Sequence, residues 1–210
     1  MMRKKLHGLY AITDSQLMPE NRFQQQLIEA LEGGVRIIQY RDKSSHTEKR
    51  LQQATLLHHL CQQYQALLII NDDIELCLAV HADGVHLGQD DASINDARTQ
   101  LGNQAIIGAS CYNQYSLAEK AVHAGADYIA FGAVFPSPTK PDAVTAELTL
   151  IKKARKQLNI AVCAIGGITV DNAIQPIAAG ADMIAVINNL FNQANIRKTA
   201  HTITKLFYDA

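Results

Sequence analysis

Apolar residues along this 210-residue chain gather in short runs separated by longer mixed stretches. Eight runs stand out, at 8–13, 35–40, 67–71, 84–88, 105–109, 127–131, 160–165 and 182–187, each of strand length and rich in Ile and Val. They do not alternate strictly between apolar and polar, which is the pattern of strands covered on both faces. The stretches between them read as helices. Residues 47–65 place Leu51, Ala54, Leu57, Leu60, Cys61 and Tyr64 at helical spacing, and Ser45 and Glu48 are spaced as a capping box at the start. Thr169-Val170-Asp171-Asn172 opens a further helix with a capping residue, while Gly33-Gly34, Gly125 and Gly180 mark helix ends.

A regularity within the chain sharpens the pattern. Ala82-Asp83-Gly84, Gly125-Ala126-Asp127 and Gly180-Ala181-Asp182 are one helix-stop and strand-start signal, with Gly33-Gly34 a looser copy. They precede only the second, fourth, sixth and eighth runs and lie 43 to 55 residues apart, so the chain reads as four copies of a strand–helix–strand–helix unit. Strands alternating with helices give a parallel sheet, and eight units in one domain close into a (β/α)8 TIM barrel spanning 1–210. An open doubly wound sheet is the competing architecture, but eight units exceed what such sheets usually carry.

Composition adds exclusions. With 48% hydrophobic and 19% charged residues the chain can bury a full core. A net charge of −1 leaves no basic excess for a nucleic-acid backbone, so any polyanion must meet a local cluster. The longest apolar run, Ile160 to Ile165, is six residues, far short of a membrane span. No apolar segment follows the basic start Arg3-Lys4-Lys5, and the protein is expected in the cytoplasm. The four cysteines, at 61, 77, 111 and 163, have neither disulfide nor zinc spacing and are expected as buried thiols.

In such a barrel the chemistry lies at the C-terminal strand ends. Val35, Ile37, Gln39, Arg41 and Lys43 form one row along the second run, apolar below and cationic at the mouth, which suits an anion. The third run ends Asn71-Asp72-Asp73 and the fourth His86-Leu87-Gly88-Gln89-Asp90-Asp91. Asp72 and Asp91 are the expected carboxylate pair for Mg²⁺, which takes one or two carboxylates and completes its shell with water and substrate phosphate. Asp73 and Asp90 are expected as helix caps, and His86 as a packed, hydrogen-bonded core residue. Ser110 offers a hydroxyl to a phosphate, whereas Cys111 has no histidine nearby in sequence to activate it.

Three of the five prolines stiffen Phe135–Pro141, which presents Ser137, Thr139 and Lys140, and 136–147 is expected to act as a mobile lid. Gly166-Gly167 before a helix start, faced by a second start after Ile187-Asn188-Asn189, suits a phosphate held by backbone N–H groups. Arg41, Lys43 and Lys140 against Asp72 and Asp91 leave a mouth of about +1, and Mg²⁺ raises it to about +3, enough for a diphosphate. The glycine pocket is then free for a monophosphate, giving a metal-assisted site for two small phosphorylated substrates.

These motifs, in this order, resemble the thiamine-phosphate synthase family over nearly the whole chain. The likeness runs from Leu9-Tyr10-Ala11-Ile12-Thr13-Asp14 through Gln39-x-Arg41-x-Lys43, Asn71-Asp72, the stretch from Ala82 to Asp91, Ser110, Thr139-Lys140 and Ala164-Ile165-Gly166-Gly167-Ile168. The resemblance implies transfer of a pyrimidylmethyl group from hydroxymethylpyrimidine diphosphate to the nitrogen of thiazole phosphate, with pyrophosphate released. It implies that Gln39, Arg41, Lys43, Asn71, Ser110 and Lys140 hold the pyrimidine diphosphate, with Arg41, Lys43, Lys140 and Ser110 acting in catalysis. It further implies that Asp72 and Asp91 bind Mg²⁺, and that Ser137, Thr139, Gly167, Ile187 and Asn188 meet the thiazole phosphate. Ser137 and Asn188 stand where the family often has threonine and serine, and 141–147 lacks a glycine often found there.

Other readings of the same residues are a thiazole tautomerase, a Schiff-base aldolase on Lys140 and a non-catalytic phosphate binder. The first has no need of the full cationic row with its carboxylate pair. For the second, a loop lysine between prolines is poorly desolvated. A metal pair has no evident use in the third.

Overall fold

The computed structural model describes residues 6–136 and 144–208. In chain order the elements are β1 (Gly8–Ile12), α1 (Glu20–Glu32), β2 (Ile37–Tyr40), α2 (Thr47–Tyr64), β3 (Leu67–Asn71), α3 (Ile74–Ala79), β4 (Gly84–Leu87) and α4 (Ile94–Leu101). They continue as β5 (Ile106–Tyr112), α5 (Tyr115–His123), β6 (Tyr128–Gly132), α6 (Leu148–Gln157), β7 (Ala161–Ile165), α7 (Ile174–Ala178), β8 (Met183–Val186), α8 (Asn188–Phe191) and α9 (Ile196–Lys205). The eight strands pair in sequence order, all parallel, and β8 closes on β1. This is the (β/α)8 barrel expected from the eight runs.

Successive residues of each strand point to opposite faces, and both faces are buried. Leu9, Ile38, Leu68, Ile107, Ile129, Val162 and Ile184 point outward, wholly buried beneath the helices. Each such burial contributes roughly 1.5–3 kcal/mol. Tyr10, Ile37, Ile69, Ile106, Tyr128, Cys163 and Met183 point inward and fill the lumen. Val35 belongs to the outer layer and precedes β2, so the expected inward row begins only at Ile37. The strand also stops at Tyr40, which places Arg41 and Lys43 in a loop rather than on a continuing pleat.

The repeated aspartates tie the barrel floor together. Asp83, Asp127 and Asp182 each accept a hydrogen bond from the backbone N–H near the start of the preceding strand, at Leu68, Ile107 and Val162, at 2.8–2.9 Å. In each case the aspartate's own N–H returns to the carbonyl of the same residue. A carboxylate with two oxygens can satisfy a strand-end donor and an external cation together. Asp182 does so, taking Val162 N on Oδ2 and Arg155 on Oδ1, whereas Asp127 receives both Ile107 N and Arg98 on Oδ2. In the first unit the corresponding position is Arg36, whose N–H still reaches Leu9 O but which brings no carboxylate. That is why Gly33-Gly34 reads as the looser copy.

Several local expectations are corrected. The Ser45–Glu48 capping box does not form: His46 occupies the N-cap of α2 without a side-chain bond. Asp42 organises this loop instead, accepting from Ser44 N and Lys49. Thr169 does not start a helix. It bonds Asp171 N within a turn, and α7 begins only at Ile174. Asp73 does cap α3, accepting from Leu76 N, but α4 is capped by Ser93 rather than Asp90.

Candidate active site

Along several strands the inward row turns from aliphatic to polar toward the C-terminal end. Ile37 gives way to Gln39, Ile69 to Asn71 and Ile106 to Ser110, by way of Gly108. These polar groups open into one cavity of about 640 Å³, whose wall also includes Arg41, His86, Gly166, Gly167, Ile187 and Asn188. Seven of the residues singled out from the sequence, Gln39, Arg41, Asn71, Ser110, Gly167, Ile187 and Asn188, thus share a single space although up to 149 positions separate them. Ser137, Thr139, Lys140 and most of the 136–147 segment lie outside the described residues.

The wall is held by bonds the sequence did not announce. The buried Thr13 clasps the backbone of Arg41, accepting from its N–H at 2.8 Å and donating to its carbonyl at 3.2 Å. Asp42, between the two cations, has a nearly inaccessible side chain. Burial opposes its charge, but hydrogen bonds from Ser44 and Lys49 prevail and hold the carboxyl below its ordinary value. Arg41 and Lys43 therefore flank a fixed anionic peg.

Asp72 and Asp91 are brought together at the ends of β3 and β4. Asp72 adopts a left-handed backbone with φ +64°, and its N–H donates to His86 O at 3.0 Å. Asparagine and aspartate tolerate that conformation better than other side chains with a Cβ. Its carboxylate accepts from Lys43 and, at 2.6 Å, from Asn71 Nδ2. Asp91 Oδ2 accepts from Gly88 N at 2.6 Å and its carboxyl lies in hydrogen-bond contact with Asp72. Burial and then the Asp91 carboxyl push Asp72 up despite Lys43, while the bonds from Asp72 and Gly88 hold Asp91 down against its own burial. Two acids sharing a proton is how such a pair copes without a cation. A divalent ion fits this donor set. Among the described residues no third His, Cys, Asp or Glu joins them, so the rest of a metal's shell must come from water or ligand, as suits Mg²⁺.

On the far wall β7 ends in Gly166 and Gly167, both at positive φ, +101° and +63°. A Cβ at Gly166 would meet Ala133 at 2.4 Å, and one at Gly167 would meet the Pro136 carbonyl at 2.4 Å. Only glycine permits this close backbone turn. Asn172 staples it, donating to Gly167 O and accepting from Thr169 N.

Beneath the mouth runs a chain of polar groups that sequence reading missed apart from its two ends and His86. Gln39 Nε2 donates to Tyr10 Oη at 2.7 Å, and Tyr10 Oη lies 2.9 Å from Tyr128 Oη. Tyr128 Oη lies 2.9 Å from His86 Nδ1, and His86 Nε2 lies 2.8 Å from Ser110 Oγ. Burial pushes both phenols up and lowers His86 to about 4 even though Asp91 opposes the change. The imidazole is therefore neutral. The only sequence signal for the tyrosines was their inward register in β1 and β6. His86 is the packed core histidine that was expected, with a contact to the cavity as well.

All four cysteines are buried free thiols. Burial pushes Cys61, Cys77 and Cys111 up to about 12 and raises Cys163, which touches the cavity. At pH 8 a thiol of that kind is about 10⁻⁴ thiolate. None should react with a disulfide reagent at pH 8 in the native protein, and all four should react in guanidinium; rapid native labelling of Cys111 would restore it as a candidate nucleophile.

Residues 9–190 match the thiamine monophosphate synthase family. The chain is 52% identical over 199 residues to a thiamine-phosphate synthase of Nitrosococcus oceani, covering 95% of this chain and 92% of that one. It is 48% identical over 204 residues to a thiamine-phosphate synthase of Thioalkalivibrio sulfidiphilus, covering 97% of both. Its fold superposes on thiamine phosphate pyrophosphorylase from Pyrococcus furiosus with a TM-score of 0.90 and 38% identity, covering 100% of this chain and 98% of that one. With the barrel, the ordered motifs and whole-length likeness in agreement, the chain belongs to the thiamine-phosphate synthase family and is a transferase.

Proposed function

We propose that this enzyme joins 4-amino-5-hydroxymethyl-2-methylpyrimidine diphosphate to 4-methyl-5-hydroxyethylthiazole phosphate by a dissociative substitution at the mouth of the barrel. The observation that carries this reading is the convergence, on one cavity, of two separate polar walls: Gln39, Arg41, Asn71 and Ser110 on one side, with the Lys43–Asp72–Asp91 cluster adjoining it through the Asn71–Asp72 bond, and the Gly166-Gly167 turn with Ile187 and Asn188 on the other. A site for one phosphate has no use for both.

In this reading Gln39, Arg41, Lys43, Asn71, Ser110 and Lys140 hold the pyrimidine diphosphate, and Asp72 and Asp91 hold Mg²⁺. Bound there, the ion neutralises charge on the departing pyrophosphate. Arg41 and Lys43 stabilise the same oxygens, and their loop is already fixed by Thr13 and Asp42, so little reorganisation is needed as charge develops. Gly167, Ile187 and Asn188, with Ser137 and Thr139, hold the thiazole phosphate and aim the ring nitrogen. The bond between the pyrimidylmethyl carbon and the diphosphate oxygen breaks, its electron pair leaving with pyrophosphate. The ring amine delocalises the resulting positive charge, and the thiazole nitrogen lone pair forms the new C–N bond. Apolar walls at Ile12, Ala130 and Ala185 seat the heteroaromatic rings and keep water from the cation. No protein nucleophile takes part.

Incubation with both substrates and Mg²⁺, followed by chromatography, should yield thiamine phosphate and pyrophosphate in equal amounts. Pyrophosphate release that does not depend on the thiazole phosphate, or absence of thiamine phosphate, would overturn the reading.

A further inference from the structure

The chain of contacts from Gln39 to Ser110 crosses the lumen from β2 through β1, β6 and β4 to β5. A string of hydroxyls has two self-consistent polarities, because each tyrosine has one hydrogen to give. The end group selects between them. Gln39 donates through Nε2 to Tyr10, so the hydrogen of Tyr10 must go to Tyr128 and that of Tyr128 to His86 Nδ1. The imidazole then carries its hydrogen on Nε2 and gives it to Ser110 Oγ. Ser110 is left with its own hydrogen unspent, on a side chain that lines the cavity.

We propose that Tyr10, Tyr128 and His86 are positioning residues forming a polarised hydrogen-bond chain, set by the Gln39 amide, that obliges Ser110 to act as a donor to the bound ligand. Without the chain a serine hydroxyl rotates freely and can equally accept. With it, the Ser110 donor is preorganised before ligand arrives, and the reverse polarity would present a lone pair to an anionic ligand. The same chain accounts for two tyrosines and a histidine in the lumen, where aliphatic side chains usually fill the layers of a barrel. The functional half of this inference rests on the reading that a diphosphate substrate occupies the cavity; the polarity itself does not.

Two measurements test it. Long-range ¹H–¹⁵N correlation on the native protein, with the His86 signals identified by their loss in His86→Asn, should show Nε2 protonated and Nδ1 bare. The opposite tautomer would overturn the polarity whatever reaction the enzyme performs. Tyr128→Phe should then lower kcat/KM for the pyrimidine diphosphate about 10-fold in the parent, the worth of one hydrogen bond to a charged group. In a Ser110→Ala background the same substitution should cost less than about 2-fold, because contacts acting through a common partner are not additive. Equal losses in both backgrounds, or none in either, would overturn the coupling. Tyr10→Phe provides the same cycle one link further away should Tyr128→Phe fold poorly.

Discussion

Asp72→Asn and Asp91→Asn should each lower kcat/KM by about 100- to 1,000-fold, the loss typical of removing one preorganised stabiliser of transition-state charge. The substitutions keep the shape of the side chain and change only its charge. An asparagine in place of Asp72 would remain at ease in the left-handed backbone that position requires, so thermal stability should stay near that of the parent. The amide would also release Lys43, which Asp72 now holds, and Asp91 would lose the carboxyl it now contacts. Pyrophosphate release followed against Mg²⁺ concentration should show saturation displaced to higher concentration in both variants. Parent-like turnover at the parent's Mg²⁺ concentration would remove the pair from the metal assignment.

Gly108→Ala should cost about 3 kcal/mol or more of stability, at the upper end for overpacking a filled core. A Cβ there would lie 2.0 Å from Cζ of Tyr128 and 2.4 Å from its hydroxyl. That ring is wholly buried, stacks on His86 and meets Tyr10 edge to face, so it cannot move aside without disturbing both. Denaturant unfolding should show a reduced midpoint, and activity should fall with it because Tyr128 stands between Gln39 and Ser110. An unchanged midpoint would mean that the lumen has slack the observed contacts do not reveal. By contrast Gly125→Ala meets no atom within 4 Å, and its cost should be limited to the strain of a positive φ.

Much of the architecture was legible because it depends on repeated local patterns. Strands covered on both faces must be apolar on both, so the eight runs stood out without strict alternation, and the aspartate signal at 83, 127 and 182 marked every second strand start but the first. What failed was local and depended on competition. Ser45 and Glu48 have the right spacing for a capping box, yet the helix begins one residue later with His46 at its N-cap, while Asp42 fixes the preceding loop through Ser44 N and Lys49. Thr169 has the right type for a cap, but Asn172 is needed to staple Gly167 and draws the segment into a turn. Neither contest can be judged from spacing.

The candidate site divides along the same line. Sequence alone picked out Gln39, Arg41, Asn71 and Ser110 by their places at the ends of apolar runs, and Asp72 with Asp91 by the types of ligand a hard cation takes. It preferred Asp72 to Asp73, a neighbour of identical chemistry, by expecting Asp73 to cap the following helix. In the fold Asp73 is indeed committed to the N-terminus of α3, and also to Arg50, whereas Asp72 turns toward Asp91. Nor could sequence connect Tyr10 with Tyr128, 118 positions apart, or show that their hydroxyls meet beneath the mouth. Residue types and periodicity determine which side chains face inward. Which of those side chains share a hydrogen bond was decided only when β8 closed on β1 and set every strand's height against its neighbours, since that stagger places polar groups from distant units at one level of the lumen.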